Sequence, residues 1–206
     1  ELSNAYNKVR NIDPDEEPEK KIVGQYRFWM SEKQEELSSD EMVDMYEDWI
    51  NKYPILSIED GLAEDDHEGW KKLMQRLGNR IFIVGDDLVT TNDDIIRDAI
   101  KKGLINTVLI KPNQIGTLSE TILAMDAGIG GGCQLIVSHR SKSTSDPIEA
   151  DMALALQTMG QKTGGARNTE RQIKYQKVQT ELALLEARDA IGQMEKPGPD
   201  VTIRYM

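Results

Sequence analysis

The sequence Thr107-Val108-Leu109-Ile110-Lys111 is a short apolar run that ends at a charged residue. Such a run, rich in β-branched residues and without helical period, is typical of a strand buried on both faces of a parallel sheet. Four similar runs are each followed within two residues by an ionisable residue: Ile55-Leu56-Ser57-Ile58 by Glu59, Ile81-Phe82-Ile83-Val84 by Asp86, Leu135-Ile136-Val137 by His139, and a weaker run near Gln161 by Lys162. The sequence therefore predicts five strands with polar groups at their carboxyl ends.

The five ionisable residues are separated by 27, 25, 28 and 23 positions, which is the length of one strand, one helix and two short loops. Apolar residues at helical spacing occur between the runs. They predict one helix face with Met42, Tyr46, Trp49, Ile50 and Tyr53, and another with Leu118, Ile122, Met125 and Ile129. Asn92 is the predicted N-cap of a helix between these two.

Repeated strand and helix units build either an open doubly wound sheet or a closed (β/α)8 barrel. The barrel is favoured because its active site lies where all strand ends converge, and each predicted strand here delivers a polar group to that end. An open sheet usually has a glycine-rich loop after a strand, whereas Gly130-Gly131-Gly132 precedes one. Five strands do not close an eight-stranded barrel, so we expect an incomplete α/β barrel of the TIM type.

The predicted barrel domain covers residues 1–188, and residues 189–206 form a predicted tail rich in proline and glycine. Within the domain, residues 7–39 are predicted to form a charged surface excursion with a short strand near Tyr26-Arg27-Phe28-Trp29. A first residue other than methionine indicates a fragment of a longer chain.

The net charge of −11 disfavours a nucleic-acid partner, because phosphate backbones are bound by clustered Lys and Arg. No stretch approaches the roughly 18 apolar residues that a membrane span requires, so no membrane partner is expected. The single cysteine, Cys133, has apolar neighbours and is predicted to be a buried free thiol. These features favour a reducing compartment, and we expect a cytoplasmic protein.

Two carboxylates, Glu59 and Asp86, end neighbouring strands and could hold Mg²⁺, which prefers oxygen ligands. The alternative is that they only cap loops or pair with lysines. Lys111 and Lys162 also end apolar strands. A lysine close to another cation can lose its proton near neutral pH and act as a base. Equally, the two lysines could form salt bridges with Glu59 and Asp86.

The sequence Ser138-His139-Arg140-Ser141 places two hydroxyls, an imidazole and a guanidinium directly after a strand. Arginine is well suited to bidentate contact with a phosphate or carboxylate group. This segment therefore predicts an anion site.

The chain resembles the enolases (phosphopyruvate hydratases) from about Tyr53 to Ala183. Five motifs occur in the order and at about the spacing of the enolase barrel. They are Ser57-Ile58-Glu59-Asp60, Val84-Gly85-Asp86-Asp87-Leu88, Leu109-Ile110-Lys111-Pro112-Asn113, Val137-Ser138-His139-Arg140-Ser141 and Lys162-Thr163-Gly164. Thr169-Glu170-Arg171 with Lys174-Tyr175 is similar to the C-terminal helix of enolase.

The resemblance implies a Mg²⁺-dependent lyase of glycolysis that reversibly dehydrates 2-phosphoglycerate to phosphoenolpyruvate. It implies that Glu59 and Asp86 bind the metal and that Lys111 removes the proton α to the carboxylate. Lys162 would bind that carboxylate and stabilise the enolate-like intermediate. Arg140 and Ser141 would hold the phosphate, with Ser138 and His139 lining the pocket. A homodimer is also implied for the full-length protein.

The family's third metal-binding Asp, its small N-terminal domain and the acid that assists hydroxide departure are expected outside this chain, which alone should be inactive. Several motif positions also differ from the family: Gly61, Pro112 and the loop Lys142-Ser143-Thr144-Ser145. These differences leave open a structural or scaffold protein derived from enolase, located in a sperm flagellum or cilium with a cytoskeletal or axonemal partner. Another acid-enolising enzyme of the superfamily fits the motifs less well.

Overall fold

The computed structural model describes residues 23–28, 36–140, 144–165 and 167–190. Its elements in chain order are β1 (Gln25–Arg27), β2 (Glu36–Ser38), α1 (Ser39–Lys52), β3 (Ser57–Glu59), α2 (His67–Leu77), β4 (Phe82–Gly85), α3 (Asp93–Lys102), β5 (Thr107–Ile110), α4 (Pro112–Ile115), α5 (Leu118–Gly130), β6 (Gln134–Ser138), α6 (Ile148–Ala155), β7 (Gly160–Lys162) and α7 (Thr169–Ala190). The predicted tail from residue 191 onward and residues 7–22 and 29–35 of the predicted excursion lie outside the described residues.

Strands β3 to β7 form a parallel sheet in chain order, β3-β4-β5-β6-β7. All five predicted strands are confirmed, with bounds that differ from the prediction by at most two residues. The short strand predicted near Tyr26 is also confirmed, and it pairs with β2 in an antiparallel hairpin. Among the described residues the parallel sheet has fewer strands than the eight of a closed barrel, as the sequence predicts.

The described residues divide into two compact units. The first reaches Val89 and adds Asp98–Asn106, and the second consists of Thr90–Arg97 and the residues from Thr107 onward. In the first unit, α2 buries one stripe of side chains at helical spacing, namely Trp70, Leu73 and Leu77. Helix α1 contributes Met42, Val43 and Tyr46 to the same core.

A buried carboxylate, Asp66, anchors the hairpin of the first unit. Its oxygens accept hydrogen bonds from the Tyr26 hydroxyl at 2.6 Å and the Ser39 hydroxyl at 2.5 Å. As the N-cap of α2 it also accepts from the backbone N–H of Gly69 at 3.0 Å. The predicted core face of α1 is only partly confirmed, because Trp49 is 40 % exposed and Tyr53 lies beyond the helix end and is 60 % exposed.

In the second unit every residue of β5 is buried, which explains its uninterrupted apolar sequence. The predicted apolar face of α5 is only partly confirmed: Met125 is buried, but Leu118, Ile122 and Ile129 are each about half exposed. Small residues face the sheet instead, at positions Thr121, Ala124, Ala127 and Gly128. A Cβ at Gly128 would lie 2.7 Å from Leu135 Cδ2, so a larger residue there would require the leucine side chain to shift.

Asn92 is confirmed as a helix cap, since its side chain accepts from the backbone N–H of Ile95 at 3.1 Å. Cys133 is confirmed as a buried free cysteine, and burial raises the pKa of its thiol to about 11. None of the described helices is long and apolar enough to cross a membrane.

Candidate active site

Three carboxylates meet at the carboxyl ends of β3 and β4 in the first unit. Asp60 follows β3, while Asp86 and Asp87 follow β4, and one oxygen of each lies within 4.8 Å of the others. The two strands pair in parallel with Glu59 opposite Val84, so their carboxyl ends lie side by side. We call these three residues the carboxylate cluster.

Asp60 organises the carboxylate cluster. It has a left-handed backbone conformation (φ 44°), and its side chain accepts hydrogen bonds from the backbone N–H groups of Asp86 at 2.9 Å and Asp87 at 2.8 Å. Burial raises the pKa of Asp60, and although these N–H groups lower it, the nearby charges of Asp86 and Asp87 raise it further. A divalent cation would offset that repulsion, and carboxylate oxygens suit Mg²⁺. The donor set therefore fits the predicted metal.

The ends of β6 and β7 bring Ser138, His139 and Lys162 together in the second unit. Ser138 is opposite Lys162 in the parallel ladder, and the His139 backbone N–H donates to the Lys162 carbonyl at 3.3 Å. Ser138 is buried, His139 is half-buried, and Arg140 and Lys162 are exposed. Ser141 lies outside the described residues. Adjacent strands thus place two predicted substrate-binding residues side by side.

Helix α7 supplies further side chains to this end of the sheet. Gly164 has a φ of +81°, and a Cβ there would lie 2.7 Å from His139 Cε1 and 3.0 Å from Arg171 Cδ. The imidazole and the arginine side chain therefore approach each other over a glycine. The Tyr175 hydroxyl donates to the Gly164 carbonyl at 2.7 Å and ties the loop to the helix.

A buried ion pair joins α6 to α7. Lys174 Nζ donates to Glu149 Oε1 at 2.8 Å, and the two residues are only 1 % and 5 % exposed. Because buried charges are costly without a partner, each of these residues depends on the other.

Lys111, the predicted base, directly follows β5 and precedes α4. Its backbone N–H donates to Thr91 Oγ1 at 2.9 Å, and that hydroxyl donates to Gln114 Oε1 at 3.1 Å. Pro112 is the first residue of α4, where its missing N–H is not needed. The unusual proline after Lys111 is therefore compatible with a well-formed turn.

A family model described as the C-terminal TIM barrel domain of enolase matches residues 16–194. The chain belongs to this family. The predicted fold class, an incomplete enolase-type TIM barrel, is thereby confirmed.

Enolases in general depend on Mg²⁺, and the carboxylate cluster of this enolase-family domain overlaps only in part with the two predicted metal ligands, which stay a prediction. Asp86 belongs to the carboxylate cluster, whereas Glu59, the exposed last residue of β3, is not one of its three members. Sequence reasoning missed Asp60 and Asp87 as candidate ligands. The available signal was the second acid in Glu59-Asp60 and Asp86-Asp87, both at strand ends.

Sequence reasoning also missed Glu149, Arg171 and Lys174 in this enolase-family domain. Arg171, Lys174 and Tyr175 have the i, i+3, i+4 spacing that places side chains on one helix face. That spacing was visible in the sequence, but the strand ends that the face contacts were not.

The protonation of His139 is expected to make the stability of this domain depend on pH. Burial lowers the pKa of His139 below its usual 6.5, and the charges of Lys174, Arg171 and Lys162 lower it further, against the opposing effect of Glu149. The unfolded chain therefore binds the proton at a higher pH than the folded chain does. Stability should fall as the pH drops from 6.5 towards the folded pKa, by at most about 1.4 kcal/mol per pH unit.

Urea unfolding of the wild type and of His139→Asn between pH 5 and pH 8 measures this contribution. We expect the difference in free energy of unfolding between the two proteins to shift in favour of the variant as the pH falls. A difference that stays constant across this range would contradict the lowered pKa of the half-buried His139.

Proposed function

We propose that the chain is the barrel part of an enolase-type lyase that reversibly dehydrates 2-phosphoglycerate to phosphoenolpyruvate in glycolysis. The observation that carries this proposal is the geometry at the ends of β6 and β7, where Lys162 is opposite Ser138 and the Arg171 side chain approaches His139 over Gly164. In a chain of net charge −11, two cationic side chains at neighbouring strand ends suit an anionic substrate.

In this proposal Arg140 and Ser141 bind the phosphate, Ser138 and His139 line its pocket, and Lys162 binds the carboxylate. Lys111 takes the proton from the carbon α to that carboxylate, and the hydroxide that leaves the next carbon takes a proton from the acid expected outside this chain and becomes water. The products are phosphoenolpyruvate and water, so the atoms balance.

Asp86 would hold Mg²⁺ with Asp60 and Asp87, which form the carboxylate cluster. Glu59 remains a candidate ligand from its place at the end of β3. When bound, Mg²⁺ supplies positive charge that stabilises the charge developing on the substrate. We also propose a cytoplasmic location and a homodimer for the full-length protein.

The test is an assay of the purified full-length protein with 2-phosphoglycerate and saturating Mg²⁺. We expect phosphoenolpyruvate to form, and we expect EDTA to abolish its formation and excess Mg²⁺ to restore it. Absence of product from a protein that is folded by circular dichroism would exclude the proposed reaction.

The second candidate function is structural. It is favoured by the loop Lys142-Ser143-Thr144-Ser145, which has no acidic residue where the resemblance leads us to expect a Gly-Glu-Thr-Glu-like run. A protein of this kind would bind a cytoskeletal or axonemal partner in a flagellum or cilium. It would pass the folding control of the assay above but form no phosphoenolpyruvate.

A further inference from the structure

One face of α7 contacts α6 and two residues that follow β6 and β7, namely His139 and Gly164. On this face Lys174 and Val178 are buried, and Tyr175 is hydrogen-bonded to the Gly164 carbonyl. Arg171 lies one helical turn before these residues, nearer the start of the helix. The packing of the later residues therefore holds the Arg171 side chain beside His139 and Gly164.

The close approach over Gly164 gives Arg171 a defined position. Its Nε and Cδ each lie 3.0 Å from the point that a Cβ of residue 164 would occupy, and His139 Cε1 lies 2.7 Å from the same point. A larger residue at position 164 would separate the two side chains. The guanidinium group is thus adjacent to a residue of the proposed substrate pocket.

Among the described residues, Arg171 forms no ion pair. The buried ion pair on this face of α7 joins Lys174 to Glu149. The acid next to Arg171 in sequence, Glu170, accepts a hydrogen bond from the Asn168 amide at 2.9 Å; hydrogen bonds lower the pKa of Glu170, and the charge of Arg171 lowers it further. The half-buried guanidinium therefore adds positive charge at a strand end that already has Lys162 and Arg140.

We infer that Arg171 is a further substrate-binding residue, whose guanidinium binds the phosphate group of the substrate together with Arg140. This inference rests on the proposed function for the identity of the substrate. A planar guanidinium can donate two parallel hydrogen bonds to phosphate oxygens, and two such groups can hold one phosphate from two sides.

Binding of inorganic phosphate to the full-length protein, measured by calorimetry, tests the inference without requiring turnover. We expect Arg171→Met to weaken phosphate binding about tenfold. Arg171→Lys, which keeps the charge but not the two parallel N–H donors, should weaken it less. The control is Lys177→Met on the same helix, because Lys177 pairs with Asp151 and Glu181 instead of lying beside His139. This control should bind phosphate as the wild type does.

Equal phosphate affinity in the wild type, Arg171→Lys and the control would overturn the inference even if Arg171→Met failed to fold. It would also be overturned if the wild type bound no phosphate. If the wild type binds phosphate but forms no phosphoenolpyruvate, the proposed reaction fails while the comparison of variants still decides the role of Arg171. With an active wild type, Arg171→Met should raise KM more than it lowers kcat, since the phosphate does not react.

Discussion

Replacing Lys174 by methionine is expected to lower the free energy of unfolding by about 3–5 kcal/mol. The substitution leaves Glu149 buried beside an apolar side chain, at 5 % exposure, without the ammonium that donates to it at 2.8 Å. Burying a carboxylate that has lost its ammonium partner is far more costly than losing one exposed contact. Urea unfolding at neutral pH measures the loss.

The double variant Glu149→Leu/Lys174→Met separates the cost of the unpaired charge from the loss of packing. Replacing a buried ion pair by apolar residues of similar volume is often neutral or stabilising. We therefore expect the double variant to recover most of the stability that the single variant loses. A double variant as unstable as Lys174→Met would show that packing at this position, and not the unpaired charge, dominates the loss.

Lys177→Met is the matched control, one helical turn further along α7. Lys177 pairs with Asp151 at 3.4 Å and Glu181 at 2.8 Å, but its side chain is 33 % exposed. Its loss should cost no more than about 1 kcal/mol, as for other exposed pairs. Equal losses for Lys174→Met and Lys177→Met would contradict the buried pair described above.

Lys174→Met also reports on the proposed active site. Burial and the positive charge of Lys174 both lower the pKa of His139, and only the second contribution is removed in Lys174→Met. Glu149, which raises the pKa of His139, is still present in the variant. Titration of His139 by NMR should therefore show a higher pKa in the variant if it remains folded.

Much of the sheet could be predicted because local sequence determines a buried parallel strand. Thr107–Ile110 is apolar on both faces, and its bounds are those predicted. The face of α5 could not be predicted in the same way. Its sequence is apolar on several sides, so which side contacts the sheet depends on where small residues allow close approach. Only the partner surface at Leu135 and Val108 shows that Gly128 must face inward.

The proposed site likewise contains some residues that the sequence predicts and others that only the tertiary structure reveals. Ser138 and Lys162 follow from strand ends and parallel pairing, both of which have a clear sequence signal. The role of Asp60 depends on a left-handed backbone conformation, which an aspartate adopts only when its surroundings require it. Arg171 approaches His139, and the charge of Lys174 acts on it, because of the packing of a helix that begins seven residues after β7. Contacts of that kind depend on tertiary structure and are not encoded in any local pattern.

Lys111→Ala is expected to reduce the formation of phosphoenolpyruvate by about 10³-fold or more, within the range usual for loss of a positioned general base. Backbone contacts fix the position of Lys111: its N–H donates a hydrogen bond to Thr91 Oγ1, and Pro112 begins the helix that follows. Alanine keeps these two backbone features, because neither involves the side chain of residue 111. The loss of activity should therefore come from the missing amine and not from a displaced strand end.

Two measurements distinguish loss of the base from loss of the site. Phosphate binding should be nearly unchanged in Lys111→Ala, since the proposed phosphate group contacts Arg140, Ser141 and Arg171. Exchange of the substrate's α-hydrogen with deuterated water should disappear, because this exchange requires only proton removal and return. The control Lys101→Ala, an exposed residue of α3, should keep both activities. Exchange that persists at the wild-type rate in Lys111→Ala would assign the base to another residue, and Lys162, which ends β7, would be the next to test.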